Sequence, residues 1–375
     1  MSAARLELCF RRNGMKNRFE ERRAATALMI AACAAALALS ILLAVSVGAV
    51  RIPLSDVYRI ILYKLTHIQL GDMETLAGGT RFEIIWNVRL PRVLMGAIVG
   101  VLLSLSGVVM QATVQNPLAD PYILGISSGA SLGATFSIMI GAQVVFTGWL
   151  AGTGTAFWAF VGSLAATVLV YTIASLNGRM NSAKLVLAGS VIGSVCGALT
   201  NLMIYIGNNA DDMKSVTYWL LGSMTSARWS SLALPGACML AGLVFFLTQL
   251  RTLNTLLLGD EAAITLGVNL GLWRKVYMVV VSLMTAVAVC TCGIVGFVGL
   301  MIPHIVRAVV GSDHRRLLPV AAMVGGTFLI WADVLARVLI PNTDIPIGVI
   351  TSAVGAPVFV YMMVRKSYGF GGHDA

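Results

Sequence analysis

The chain has 375 residues, of which 58% are hydrophobic and only 11% charged, with a formal net charge of +10. That much apolar surface exceeds what a soluble core of this length can bury, and the long uninterrupted apolar runs lack the period-2 alternation of a membrane β-barrel. The expectation is an all-α polytopic membrane protein, and the basic excess reads as the positive-inside bias of membrane loops, with no nucleic acid as partner.

A bilayer core takes about 20 apolar residues per helix. Ten candidate spans occur in chain order, near 25–49, 93–113, 122–140, 156–176, 185–206, 231–250, 276–292, 294–310, 318–340 and 346–364. The first comes after a basic stretch, "RRNGMKNRFEERR", and its apolar run is longer than the roughly 7–15 residues of a signal-peptide core, so it reads as a retained span. The domain reading is a basic N-terminal tail over 1–23, a transmembrane domain over 24–368 and a short C-terminal tail over 369–375. The seventh and eighth spans are separated only by "GIVG", which allows a tight hairpin or a broken helix. Glycines at spacing four, Gly125, Gly129 and Gly133 and then Gly189, Gly193 and Gly197, let helix backbones approach closely within one subunit, between subunits or along a pore wall.

Lys and Arg concentrate before the first span and after the fourth, sixth, eighth and tenth, which places both termini in the cytoplasm. One outer segment, 51–92, breaks the pattern with Arg51, Arg59, Lys64, Arg81, Arg89 and Arg92. An acidic partner outside would account for it. The cysteines, Cys9, Cys33, Cys196, Cys238, Cys290 and Cys292, form no CxxC and read as small apolar packers. His67, His304, His314 and His373 are scattered, and neither HExxH nor a GxxxxGK[ST] phosphate loop occurs, so no metal site and no ATP site of that kind is expected in the chain itself. Asp333 and Arg337 stand at i, i+4 and suit a structural ion pair. The spans hold too little buried charge for a proton relay.

The stretch "LLLGDEAAITLGV", 256–268, is too short to span and carries two adjacent carboxylates. Gly259 can break the preceding helix, Asp260 can cap a new one, and Glu261 joins it at the positive end of the helix dipole. Gly267 can end the helix in a left-handed turn. Ala262, Ala263, Ile264 and Leu266 then make a compact apolar surface. Two turns of helix are unstable alone, so the segment needs a groove on its own protein or on a partner. A handle for a motor and an ordinary interfacial loop helix both satisfy that.

Together "RLPRVLMGAIVG" (89–100), "MQATVQNPLADPYILGISSGASLGA" (110–134), "LGDEAAITLGV" (258–268), "GIVGFVGLMIPHIVRAVVGSDHRRLLP" (293–319) and "DIPIGVITSAVGAPVFVYMM" (344–363) resemble the FecCD/BtuC-type permease subunits of ABC importers for iron chelates, haem and cobalamin. The resemblance covers roughly 25–368. It implies a BtuC-like type II importer permease of about ten helices in the cytoplasmic membrane of a bacterium or archaeon. It also implies a homodimer with two ATP-binding cassette ATPase subunits below and an extracytoplasmic substrate-binding protein above. ATP and Mg would sit on the ATPases, with no cofactor on this chain and no enzymatic activity of its own.

In that family the segment matching 259–267 is the coupling helix, so Gly259, Asp260, Glu261, Ala262, Ala263, Leu266 and Gly267 are implied to meet the ATPase. The family's docking arginines match Arg89, Arg92 and Arg337, implied to face glutamates of the binding protein; snorkelling to headgroups is the alternative for each. Ser190, Gly193, Ser194 and Asn201 on the fifth span are candidates for the pathway wall, where weakly polar groups suit release of a bulky chelate. "NPLADP" (116–121) reads as an inner turn beside the ATPase. Siderophore-iron leads as the cargo, with haem and cobalamin open. An ion-coupled secondary transporter and a polytopic membrane enzyme or scaffold are the competing readings.

Overall fold

The computed structural model describes residues 3–48, 50, 52–68, 79–141, 154–176, 182–207, 209–341 and 343–365, without the side chains of 3–23, 182, 363 and 365. The 369–375 tail lies outside the described residues. Among these residues every regular element is helical.

The first span, α1 (Ala3–Ser46), continues without a break from the basic segment before Ala24. A short amphipathic helix, α2 (Leu54–Thr66), precedes the long α3 (Thr80–Val114), whose first part includes a π-helical stretch at Ile84–Arg89. After a 3-10 turn at Pro121–Leu124 come α4 (Ile126–Ile140), α5 (Gly154–Ser175), α6 (Ser182–Ile206) and the short α7 (Ala210–Leu221). Next are α8 (Trp229–Thr248), α9 (Leu250–Leu256), α10 (Asp260–Thr265) and α11 (Leu270–Cys292). The chain closes with α12 (Val298–Val310), α13 (His314–Val338) and α14 (Ile347–Arg365).

Seven of these helices are long and apolar enough to cross a membrane; three shorter apolar ones, 126–140, 298–310 and 347–362, fall on the remaining expected spans. The ten expected spans are therefore all found as apolar helices. The "GIVG" join is a loop, 293–297, in which Gly293 and Phe297 both take positive φ, and α11 and α12 pack separately on α3.

The spine is α3, buried along nearly its whole length from Leu90 to Thr113. Around it pack α13, α11, α12 and α8, with α1 outside α13; α4, α5 and α6 form a second group joined to the first through α11. Backbone approach rather than large side chains sets several of these contacts. A Cβ at Gly107 would land inside the Gly299 carbonyl of α12, and one at Gly133 inside the Trp158 carbonyl of α5. The second glycine series splits: Gly189 abuts the Ile123 carbonyl, whereas Gly197 faces open space.

The bundle gathers its polar side chains at two opposite ends. One end carries α10, the C-terminus of α3 and the start of α13. The other carries α2, the start of α3 and the end of α13.

Candidate functional site

Gly259 turns the chain sharply, with φ 93° and open space where a side chain would sit, and Gly267 closes α10 at φ 80°. The closing turn is a Schellman motif: Val268 N–H donates to the Ala263 carbonyl at 3.0 Å and Gly267 N–H to Ile264 at 2.9 Å. Left-handed backbone at both positions explains the glycines. A six-residue helix does not persist by its own hydrogen bonds, so external anchors must hold it. Ala263 is fully buried in the main apolar cluster, with Val268 packed on it.

Asp260 supplies the second anchor, but not as the expected cap. Gly259 is the N-cap residue and no side chain caps the helix. The Asp260 carboxylate instead receives both terminal nitrogens of Arg274, at 2.7 and 3.1 Å, and the amide of Gln115 at 3.0 Å. A forked, charge-assisted contact of this kind is stronger than a single bond to a backbone N–H, which explains the change of role. Gln115 ends α3 in left-handed conformation and also donates to the Leu256 carbonyl at 2.9 Å, so one side chain ties α3 to both sides of the Gly259 turn.

The rest of the segment faces out. Leu258, Ile264 and Leu266 are 63%, 55% and 63% exposed, Leu272 beside them 53%, and Glu261, Thr265 and Gly267 are exposed as well. Ala262 is half-buried. The apolar surface expected from Ala262, Ala263, Ile264 and Leu266 is thus divided: Ala263 holds the knob to its own protein, while Ile264 and Leu266 are exposed, as are Leu258 and Glu261.

A third tie lies just upstream. Asn254 of α9 donates to Asp313 at 2.7 Å and accepts from the backbone N–H of His314 at 2.9 Å. Burial opposes the charge on Asp313, but the Arg315 N–H, the Asn254 amide and the Arg315 and Arg316 charges outweigh it and hold its pKa below the ordinary carboxylate value.

At the opposite end Arg89, Arg92 and Arg337 come together, but they point inward. Arg89 and Arg92 are 6% and 9% exposed. Arg92 pairs with Asp333 at 2.9 Å and Asp344 at 3.0 Å, and Arg337 with Asp333 at 3.1 Å. Arg89 donates to the Val45, Ser46 and Val50 carbonyls, and Arg337 to Val47 and Ala44, both at the end of α1. The i, i+4 pair expected from the sequence is present, widened by Arg92 and Asp344. What this end exposes instead is Arg81, bound to Asp56 at 2.9 Å, and Lys64, lying over the Phe82 and Trp86 rings.

On α6, Ser190, Ser194 and Asn201 lie on one exposed stripe, with Gly193 half-buried against Ser128. The Ser194 hydroxyl donates back to the Ser190 carbonyl at 2.9 Å. Leu187, Val191 and Val195 are exposed beside them.

Comparison with known proteins bears on the family and the fold. The model of the FecCD transport family matches residues 36–365. The chain is 41% identical over 296 residues to the cobalamin import system permease protein BtuC of Halobacterium salinarum, covering 79% of this chain and 76% of that protein. It is 40% identical over 283 residues to the hemin transport system permease protein HmuU of Yersinia pestis, covering 75% and 84%. A solved structure described as an inward-facing conformation of a metal-chelate type ABC transporter superposes with a TM-score of 0.74 at 29% identity, over 90% of this chain and 99% of that one. The chain belongs to the FecCD transport family and is a multi-pass permease subunit of a bacterial or archaeal ABC importer.

Proposed function

We propose that two copies of this permease form a pathway between them, that two ATPase subunits seat on the α10 knobs, and that a binding protein delivers a bulky metal chelate to the opposite end. The observation that carries this reading is the knob itself: a helix too short to stand alone, fixed to α3 and α11 through Asp260 and presenting Leu258, Ile264, Leu266 and Glu261 outward. A rigid apolar surface rimmed by charge is what a groove on a partner requires. With the α10 end in the cytoplasm, the start of α1 and the end of α14 lie on that side too, in keeping with the basic segments in the sequence. ATP-driven closure of the ATPases would then swing the two permease halves, and the chelate would pass inward unchanged.

The exposed stripe of Ser190, Ser194 and Asn201 suits the pathway wall, since weakly polar groups bind without holding. Arg89, Arg92 and Arg337 serve docking by keeping the receiving end in shape, because their guanidinium groups are taken up internally. Siderophore-iron remains within the cargo class, and the cobalamin and hemin named for the two relatives add metal tetrapyrroles of similar bulk.

The test is reconstitution of the full assembly in proteoliposomes with cobalamin, hemin and ferric siderophores as separate cargoes. Uptake of one of them should require internal ATP and fall at least ten-fold with Glu261→Arg and Leu266→Glu together, from a loss of about 1.4 kcal/mol or more at the ATPase contact. Uptake that survives ATP removal under an ion gradient would favour a secondary transporter.

A further inference from the structure

We infer that α13 is the rod that carries movement of the α10 knob to the opposite end of the molecule, and that Asn254 is its joint. The inference rests on the reading of α10 as the ATPase contact.

The joint is made of few atoms. Asn254 sits on α9, whose other inward residues, Leu253 and Leu256, are fully buried, so α9 is packed into the core just before the Gly259 turn. Its side-chain oxygen accepts the His314 backbone N–H at 2.9 Å and faces His314 Nδ1 at 2.8 Å, and its amide donates to Asp313 at 2.7 Å. Asp313 in turn caps α13 through the Arg315 N–H at 3.0 Å. One side chain of α9 thus makes three polar contacts at the start of α13. His314 is fully buried, with Nε2 lacking a hydrogen-bond partner.

The far end of the rod is tied equally firmly. Asp333 and Arg337, near the C-terminus of α13, hold Arg92 of α3 and the last carbonyls of α1. At 25 residues α13 is roughly 37 Å long. Between its ends Gly325 and Gly326 lie against Gly100 of α3 at backbone contact, with the Ser104 side chain packed on Gly325, so the middle of the rod is closely fitted to α3. A packed helix pinned by polar groups at both ends is the kind of element that carries coupling between distant sites. Asn254 acts through α13 and touches neither nucleotide nor cargo; it is a positioning residue.

The test uses the assembly with its ATPase subunits and needs no cargo. A fluorophore on Leu339→Cys, an exposed position at the far end of α13, reports its movement when ATP is added. With the native joint the signal should change on ATP binding. Asn254→Leu should cut that change at least about five-fold per ATPase bound, whatever it does to the affinity of the contact. Asn254→Asp sets two carboxylates against each other and should do the same. The double variant Asn254→Asp/Asp313→Asn restores a donor–acceptor pair across the same gap and should recover the signal, which mere loss of stability would not. An unchanged signal in Asn254→Leu, a native complex that hydrolyses ATP without any change at Leu339, or failure of the double variant to recover while both single variants fold, overturns the inference. Failure of the native chain to bind the ATPase at α10 overturns the reading beneath it instead.

Discussion

Asp333 is 1% exposed and lies between two guanidinium groups, Arg92 and Arg337. Removing it leaves buried positive charge without its counter-ion, a change that typically costs 3–5 kcal/mol, so Asp333→Asn should lose about 3 kcal/mol of stability in thermal unfolding of detergent-solubilised protein. Glu261→Ala, on the exposed knob, should stay within about 0.5 kcal/mol in the same measurement. Equal losses would mean that the cluster is not the internal tie it looks to be. The sequence showed the Asp333–Arg337 half of the cluster, because an i, i+4 pair is local. It did not show Arg92 closing on Asp333 or Asp344 joining it, because those contacts cross from α3 to α13 and from loop to helix. The same limit explains Asp260: its place at a helix start was legible, while the partners that take its carboxylate, Arg274 and Gln115, are brought there only by the tertiary fold.

Helices long enough to cross a membrane announce themselves by composition, and all ten expected spans have apolar counterparts. Among the helices that went unforeseen, α2 and α7 are short and amphipathic, and a search for apolar runs passes over them. Glycine spacing marked where helices could meet but not which glycines do. Gly107 meets the Gly299 backbone, whereas Gly197 meets nothing in the single chain. Gly107→Ala should therefore force α3 and α12 apart and cost about 1–3 kcal/mol, read as a lower unfolding temperature. Gly197→Ala should be neutral or stabilise by up to about 1 kcal/mol, as expected for alanine replacing glycine in a helix with free space. The reverse order would show that α3 and α12 do not meet through these glycines in the membrane.

At the scale of the molecule, motif order along the chain pointed to the family before any coordinate, and the fold agrees: a buried central helix, two flanking groups and a short knob at one end. What sequence pattern cannot supply is the division of labour between the two ends. One end turns Arg89, Arg92 and Arg337 inward and the other turns its leucines outward, and only packing decides which charges are held inside. The account stands on the knob facing the cytoplasm, where an ATPase can reach it. The direct measurement is labelling of Thr265→Cys, an exposed site on α10, with a membrane-impermeant maleimide in intact cells and in inside-out vesicles. The account predicts labelling in the vesicles and none in intact cells; labelling of intact cells would contradict it.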